Sequence, residues 1–404
     1  SRWSNADASG ITLGSLQYAP NIGRSSISIL DGGKLDVTFM RIAYTPSNTV
    51  LVAGTGSILR ARGVGFDGGF SIGGAGGGVS PYDCGNQLIV SNGGVVIAGE
   101  TGFNGTGGMA TVTGPGSIWS NLYVVNSSGV IFGMGLGGAA FGNRLLISDG
   151  GRLDNYLTTP YGRSAIGCSG SSSNAAVVTD TGSVWRATSD LFVGDAYSAG
   201  YPNHYNSLTV SNGGTVIVGA FYTGLGIGWG GNYNSVTVNG SGSVLTNNGL
   251  CIIGSFSQWL TTNSCGNQLV VTNGGTMYCV GFNAGSNSWC VSNGMIVASG
   301  GRVFETGPAF IGTALAATGN YVSVSGIGSL WEMGGQNLTI GYPTSITNSL
   351  TIIQTGTVDN VGTLRVYTNN YLNLPGGLLG VANTTYTNGQ FVVGDGVQSA
   401  TLKA

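Results

Sequence analysis

The chain has 404 residues, with 76 glycines against 9 prolines, and only 13 basic and 15 acidic side chains, for a formal net charge of −2. So much glycine without a G-X-Y period excludes both a helical protein and collagen, and the balanced, sparse charge offers no electrostatic footprint for nucleic acid or an anionic membrane surface. No apolar run reaches 18 residues, so no membrane-spanning helix is expected.

Residues 1–24 read as an incomplete N-terminal coil of a repeat whose first full start falls at Ser25. Further starts follow at 48, 86, 108, 143, 174, 206, 234, 267, 293, 320 and 348, a period of roughly 29 residues. Two motifs mark them. NQLIVSNGG from Asn86, NRLLISDGG from Asn143, NSLTVSNGG from Asn206, NQLVVTNGG from Asn267 and NGMIVASGG from Asn293 place the first Gly of a GG pair seven residues after the Asn. NTVLVAGTGS from Asn48, NAAVVTDTGS from Asn174, NSVTVNGSGS from Asn234 and NYVSVSGIGS from Asn320 place a Ser nine residues after it.

Each repeat holds three short runs of alternating apolar residues separated by turn residues, such as SVTV, SVLT and LCIIG from Asn234. Period-2 alternation over four or five residues predicts strands, and Gly-Gly and Asn-Gly pairs supply sharp corners. Three strands and three corners per repeat predict an all-β fold, a right-handed parallel β-helix (a β-solenoid) of about twelve coils over residues 25–360. Inward positions would include Leu208, Val210, Val216 and Val218. Extra length falls in polar, glycine-rich stretches at 63–85, 132–142, 195–205, 255–266 and 281–292, which gather on one edge of the rod, the first place to look for ligand contact. After about residue 360 the spacing tightens, so 361–404 is read as a variant C-terminal β segment, a candidate strand donor.

The leading asparagines Asn48, Asn86, Asn143, Asn174, Asn206, Asn234, Asn267, Asn293, Asn320 and Asn348 are expected to stack as a structural ladder of amides rather than to bind a ligand. Trp119, Trp185 and Trp331 each lie eleven residues after a start, at a position that aligns with Leu153 and Val216 in other coils, and are assigned to the core. Trp3 fits the same position of a coil whose start precedes residue 1. Cys265 and Cys290 fall at the same corner of adjacent coils. With coils about 4.8 Å apart, they are expected to form a disulfide, while the pairing of Cys84, Cys168, Cys251 and Cys279 stays open. Glycosylation sequons occur at Asn104, Asn126, Asn239, Asn337 and Asn383.

Converging titratable groups are missing from this pattern. The only histidine, His204, sits beside Tyr205 with Asp195 nine residues earlier, and the acidic residues are scattered. GFDGG at 65–69 is a single incomplete copy of a calcium-binding repeat, and GLGIGWG at 224–230 matches a dinucleotide fingerprint by composition alone. No enzyme activity, metal or cofactor is expected.

The combination of N-x-[LV]-x-V-[ST]-N-G-G with the alternating GSxW half-repeat resembles the repeats of bacterial autotransporter passengers and of related surface proteins with C-terminal sorting signals. The resemblance covers roughly 25–360 and implies an exported β-helix at the cell surface or released from it, with a signal peptide removed. Low charge and abundant Ser, Thr and Asn agree with export. Two functions are weighed: a structural subunit of an extracellular filament or surface layer, a homopolymer joined head to tail through its solenoid ends, and, as the alternative, an adhesin or glycan-binding passenger. A polysaccharide-acting enzyme ranks last.

Overall fold

The computed structural model describes residues 2–4, 10–14, 24–63, 69–73, 84–123, 130–134, 140–157, 162–168, 170–195, 203–255 and 264–403, and these contain no α-helix. The chain winds as a parallel β-solenoid with three faces. The first face is a sheet of fourteen strands, beginning at Ser26–Leu30 and ending at Gln390–Val393, and its rungs number the coils 1 to 14. The second face runs from Arg2–Ser4 through Thr215–Val218 to Ala400–Lys403, and the third from Ile11–Leu13 through Leu191–Asp195 onward. These two merge where a strand passes the corner unbroken, as in Val244–Ser255 and Thr357–Tyr367.

Alternation in sequence becomes alternation in burial. Ser207–Ser211 and Ser235–Asn239 bury every second residue, and they pair in parallel with Leu208 beside Val236 and Val210 beside Val238. Leu208, Val210, Val216 and Val218 are fully buried, as expected. A single coil cannot cover its own inner face, so the burial of each such side chain, worth about 1.5–3 kcal/mol, exists only through stacking on its neighbours.

The tryptophan position is a column in true register. Val96 pairs with Trp119, Trp119 with Leu153, Leu153 with Trp185, Trp185 with Val216, and Val303 with Trp331. Trp119, Trp185 and Trp331 are fully buried. The backbone of Trp3 continues the column, pairing with Leu35.

Two expectations need correction. The coil frame does not stop near residue 360. Tyr371–Leu374 and Gln390–Val393 add coils 13 and 14 to the first face, and Ala400–Lys403 pairs with Gly377–Gly380 on the second. Residues 361–403 thus continue the same solenoid with shorter corners, the step from Asn348 to Asn370 being 22 residues. Nor is 63–85 one loop, because Phe70–Ile72 is the third-face strand of coil 2, pairing with Met40–Ile42.

Candidate functional site

The chemistry of the molecule gathers at the corner between the third face and the first. Here most coils begin with a buried Asn. The Nδ2 group of one carboxamide donates to Oδ1 of the next, at 2.8–3.1 Å, from Asn48 to Asn86 and then from Asn143 through Asn174, Asn206, Asn234, Asn267, Asn293, Asn320 and Asn348 to Asn370. The backbone N–H of each Asn donates to the same oxygen. The second Nδ2 hydrogen goes to a carbonyl such as Gly231 O, Ser264 O or Ala317 O. An interior amide left unpaired costs about 1–3 kcal/mol, and here each Oδ1 except that of Asn143 takes two donors. Space for the ladder comes from glycine at the end of the third strand: a Cβ on Gly254 would lie 2.2 Å from the Asn293 carboxamide. The run is interrupted at coil 4, where Gly108 stands in the Asn position and only its N–H reaches Asn143 Oδ1.

Sequence reading missed Asn370. Its signal was present, since Asn370 opens NYLNLPGG with alternating apolar residues and a GG pair displaced by one position.

A second column explains why the two motifs alternate. The buried Ser of each GxGS coil accepts, at 3.0–3.1 Å, the N–H of the first Gly in the preceding coil's GG turn: Gly32 to Ser57, Gly93 to Ser117, Gly150 to Ser183, Gly213 to Ser243 and Gly300 to Ser329. One motif supplies the donor and the other its acceptor.

The residue just before the ladder Asn is left-handed in every coil where it is described, with φ of 57° at Tyr205, 56° at Tyr233, 59° at Thr347 and 70° at Gly142. This conformation turns its side chain outward. Tyr205 and Tyr233 stack with ring centroids 5.3 Å apart and planes 10° apart, and His204 lies 6.1 Å from Tyr205. At a different corner, between the second and third faces, the buried carboxylate of Asp190 accepts backbone N–H groups from Phe221, Tyr222 and Gly224, which fixes an exposed aromatic turn on coil 7.

Glu305, Cys251 and Cys279 are buried as well. Glu305 Oε1 accepts Trp331 Nε1–H at 2.8 Å, and Cys279 is its register partner. Burial pushes the Glu305 carboxyl up to about 8, opposed by hydrogen bonds from Trp331 and Cys279. Burial likewise raises the thiols of Cys251 and Cys279.

The expected disulfide is not formed: Cys265 and Cys290 are free thiols, as are the other four cysteines. Cys265 pairs with Val291, not with Cys290. One residue of offset turns the Cys290 side chain inward, where its Sγ–H donates to Gly254 O, while Cys265 meets Tyr233 at the surface. Of the sequons, Asn104 is buried with its Nδ2 donating to Ser71 Oγ, Asn337 and Asn383 are exposed, Asn239 is half-buried, and Asn126 lies outside the described residues. Most of GFDGG also lies outside them, and GLGIGW forms the third-face strand Gly224–Trp229. Among the described residues no group of three or more His, Cys, Asp or Glu could hold a metal ion.

No protein-family model matches the chain, and no curated protein matches it. Among solved structures it is similar to a TibC-catalyzed hyper-glycosylated TibA fragment, with 15% identity over 97% of each chain and a TM-score of 0.33.

Proposed function

We propose that the chain is a non-enzymatic rod of the cell exterior that works by adhesion, through the corner between its third and first faces. The observation that carries this reading is a row of exposed apolar side chains along that corner: Phe141 at 56% exposure, Tyr205 at 61%, Tyr233 at 50%, Trp289 at 63% and Leu315 at 55%. The fold does not need them, because the core is complete within and the corner itself is built from the asparagine ladder. Rows of exposed apolar groups on a polar scaffold mark contact surfaces. Residues 196–301 contain no Asp, Glu, Lys or Arg, so the central part of this edge, with Tyr205, Tyr233 and Trp289, would hold a partner by apolar contact and neutral hydrogen bonds. Low charge and abundant Asn, Ser and Thr support an extracellular setting.

Purified rods should adhere to bacterial or host cell surfaces, and replacing Phe141, Tyr205, Tyr233 and Trp289 together by Ser should abolish adhesion while the circular dichroism spectrum is unchanged. Adhesion equal to wild type in that variant, or none in the wild type, would end the proposal. Long uniform fibres in negative-stain images of the purified chain would favour the filament or surface-layer role instead.

A further inference from the structure

We infer that Tyr205 is the aromatic wall of a notch one coil wide that binds an uncharged pyranose ring of a glycan. The inference rests on the adhesive reading above and names its ligand class. Tyr205 and Tyr233 hold the same corner position in consecutive coils, so their parallel stacking directs the ring faces along the rod axis. One face of Tyr205 is covered by Tyr233. The far face of Tyr233 is closed by Gly266, where a Cβ would lie 2.6 Å from the ring. The other face of Tyr205 looks toward coil 6, whose corner residue is the small, exposed Ser173. Beyond it Gly142 has open space around its Cβ direction. In the adjoining column Phe141 pairs with Ser172, and Ser172 Oγ accepts the N–H of His204. Phe141, which is exposed, therefore stands on the far side of the coil 6 gap.

Two coil steps span about 9–10 Å. Allowing for the thickness of the bounding groups, that interval admits one saturated ring. A pyranose presents an apolar C–H face suited to an aromatic wall and a rim of hydroxyls suited to the Ser172 and Ser173 floor. The tyrosines are also held against local preference, since a left-handed non-glycine residue costs about 1–2 kcal/mol, and Gly142, Gly266 and Gly319 occupy the same position elsewhere. A bulky exposed ring kept at such a position needs a reason outside the fold. None of the wall and floor residues Phe141, Ser172, Ser173 and Tyr205 is Asp, Glu, Lys or Arg, which favours a neutral sugar over a uronic acid or sulfated one.

The test is affinity electrophoresis and saturation-transfer NMR with laminarin, mannan and dextran as neutral probes and hyaluronan as the charged comparison. At least one neutral polymer should bind and hyaluronan should not. Tyr205→Ser should weaken that binding about tenfold, Tyr205→Phe should retain it, and Ser173→Trp should block it. Serine is tolerated at this corner, as Ser47, Ser173 and Ser292 have φ of 60°, 60° and 56°, so Tyr205→Ser should fold normally. If no neutral polymer binds while the rods still adhere to cells, the sugar assignment is wrong and the adhesive reading stands. Sugar binding untouched by both Tyr205→Ser and Ser173→Trp would move the site elsewhere. Adhesion abolished by protease treatment of the cells but not by periodate oxidation of their glycans would identify a protein partner and overturn the inference.

Discussion

At the residue scale, Glu305 makes stability depend on pH in an unusual direction. A glutamate carboxyl ordinarily titrates at 4.5, and burial lifts this one to about 8. Between those values the unfolded chain has released a proton that the folded chain keeps, so the unfolded state binds fewer protons and stability falls as pH rises. The loss is at most about 1.4 kcal/mol per pH unit. The full contribution is present below pH 4.5 and is gone above about 8. Glu305→Gln keeps an oxygen for Trp331 and cannot ionise, so its melting temperature should stay flat from mildly acid to mildly alkaline buffer, where the wild type declines. A wild type with no such decline would count against the buried neutral acid. The corner residues allow a second test. Thr347, β-branched, sits at φ 59° where Gly319 sits at 65°, so Thr347→Gly should stabilise the fold by up to about 1 kcal/mol, less the entropy a glycine adds to the unfolded chain. Gly142→Ala should cost about 1 kcal/mol although its Cβ would meet nothing within 4 Å. Urea midpoints moving in the same direction for both variants would refute the strain argument.

At the scale of the element, the coil, the two hydrogen-bonded columns should differ in weight. Asn267 Oδ1 accepts both Asn234 N–H and Asn234 Nδ2–H, and its own Nδ2 donates to Asn293 Oδ1 and Gly231 O. Asn267→Ala strands the Asn234 N–H and one Asn234 Nδ2 hydrogen inside the protein, leaves Asn293 Oδ1 with the backbone N–H alone, and should cost about 3–5 kcal/mol. Ser243→Ala removes the acceptor of the Gly213 N–H and a donor to Asn239 O, both in a partly open turn, and should cost about 1 kcal/mol. Denaturation of the two variants compares them directly, and equal losses would mean that the ladder is not the stronger tie. Most of this was legible beforehand because a fixed offset between Asn, turn and alternating run determines both strand register and which side faces inward. The failures came where the offset slips by one. A displaced GG pair hid Asn370, and the Cys265–Val291 pairing put Cys290 on the opposite side from Cys265, as any one-residue slip in a strand must. The candidate site was readable only as a tyrosine-rich edge. Whether Tyr205 and Tyr233 stack depends on the left-handed residue before each Asn, which leaves no composition signal because Gly, Ser, Thr, Asn and Tyr all occupy it.

At the scale of the whole molecule, a solenoid is a row of coils coupled to nearest neighbours, so a weak joint can divide it. The asparagine ladder has such a joint at coil 4. An Asn cannot simply be restored at Gly108, whose Cβ would lie 2.9 Å from Asn143 Oδ1 and 3.0 Å from Ile72 Cγ2. The same coils carry an aromatic stack across the core: Phe70 with Trp119 at 6.0 Å, Trp119 with Phe132 at 5.7 Å, and Phe132 with Trp185 at 5.5 Å, all edge to face. Each such pair adds about 0.5–1.5 kcal/mol beyond its buried area. Together they exceed the roughly 1 kcal/mol net value of a single amide hydrogen bond. The stack therefore spans coils 2 to 6, across the break in the ladder between Asn86 and Asn143. Trp119→Ala removes two of these contacts and should split denaturant unfolding into two transitions, the coils before residue 108 melting first. Trp331→Ala, of similar cost at about 3–5 kcal/mol, lies in a coil where Asn320 links Asn293 to Asn348 and should lower the midpoint while keeping one transition. Hydrogen exchange resolved by peptide would show which coils open. If Trp119→Ala unfolds in one step, or Trp331→Ala in two, the aromatic stack is not what couples the coils across the gap in the ladder.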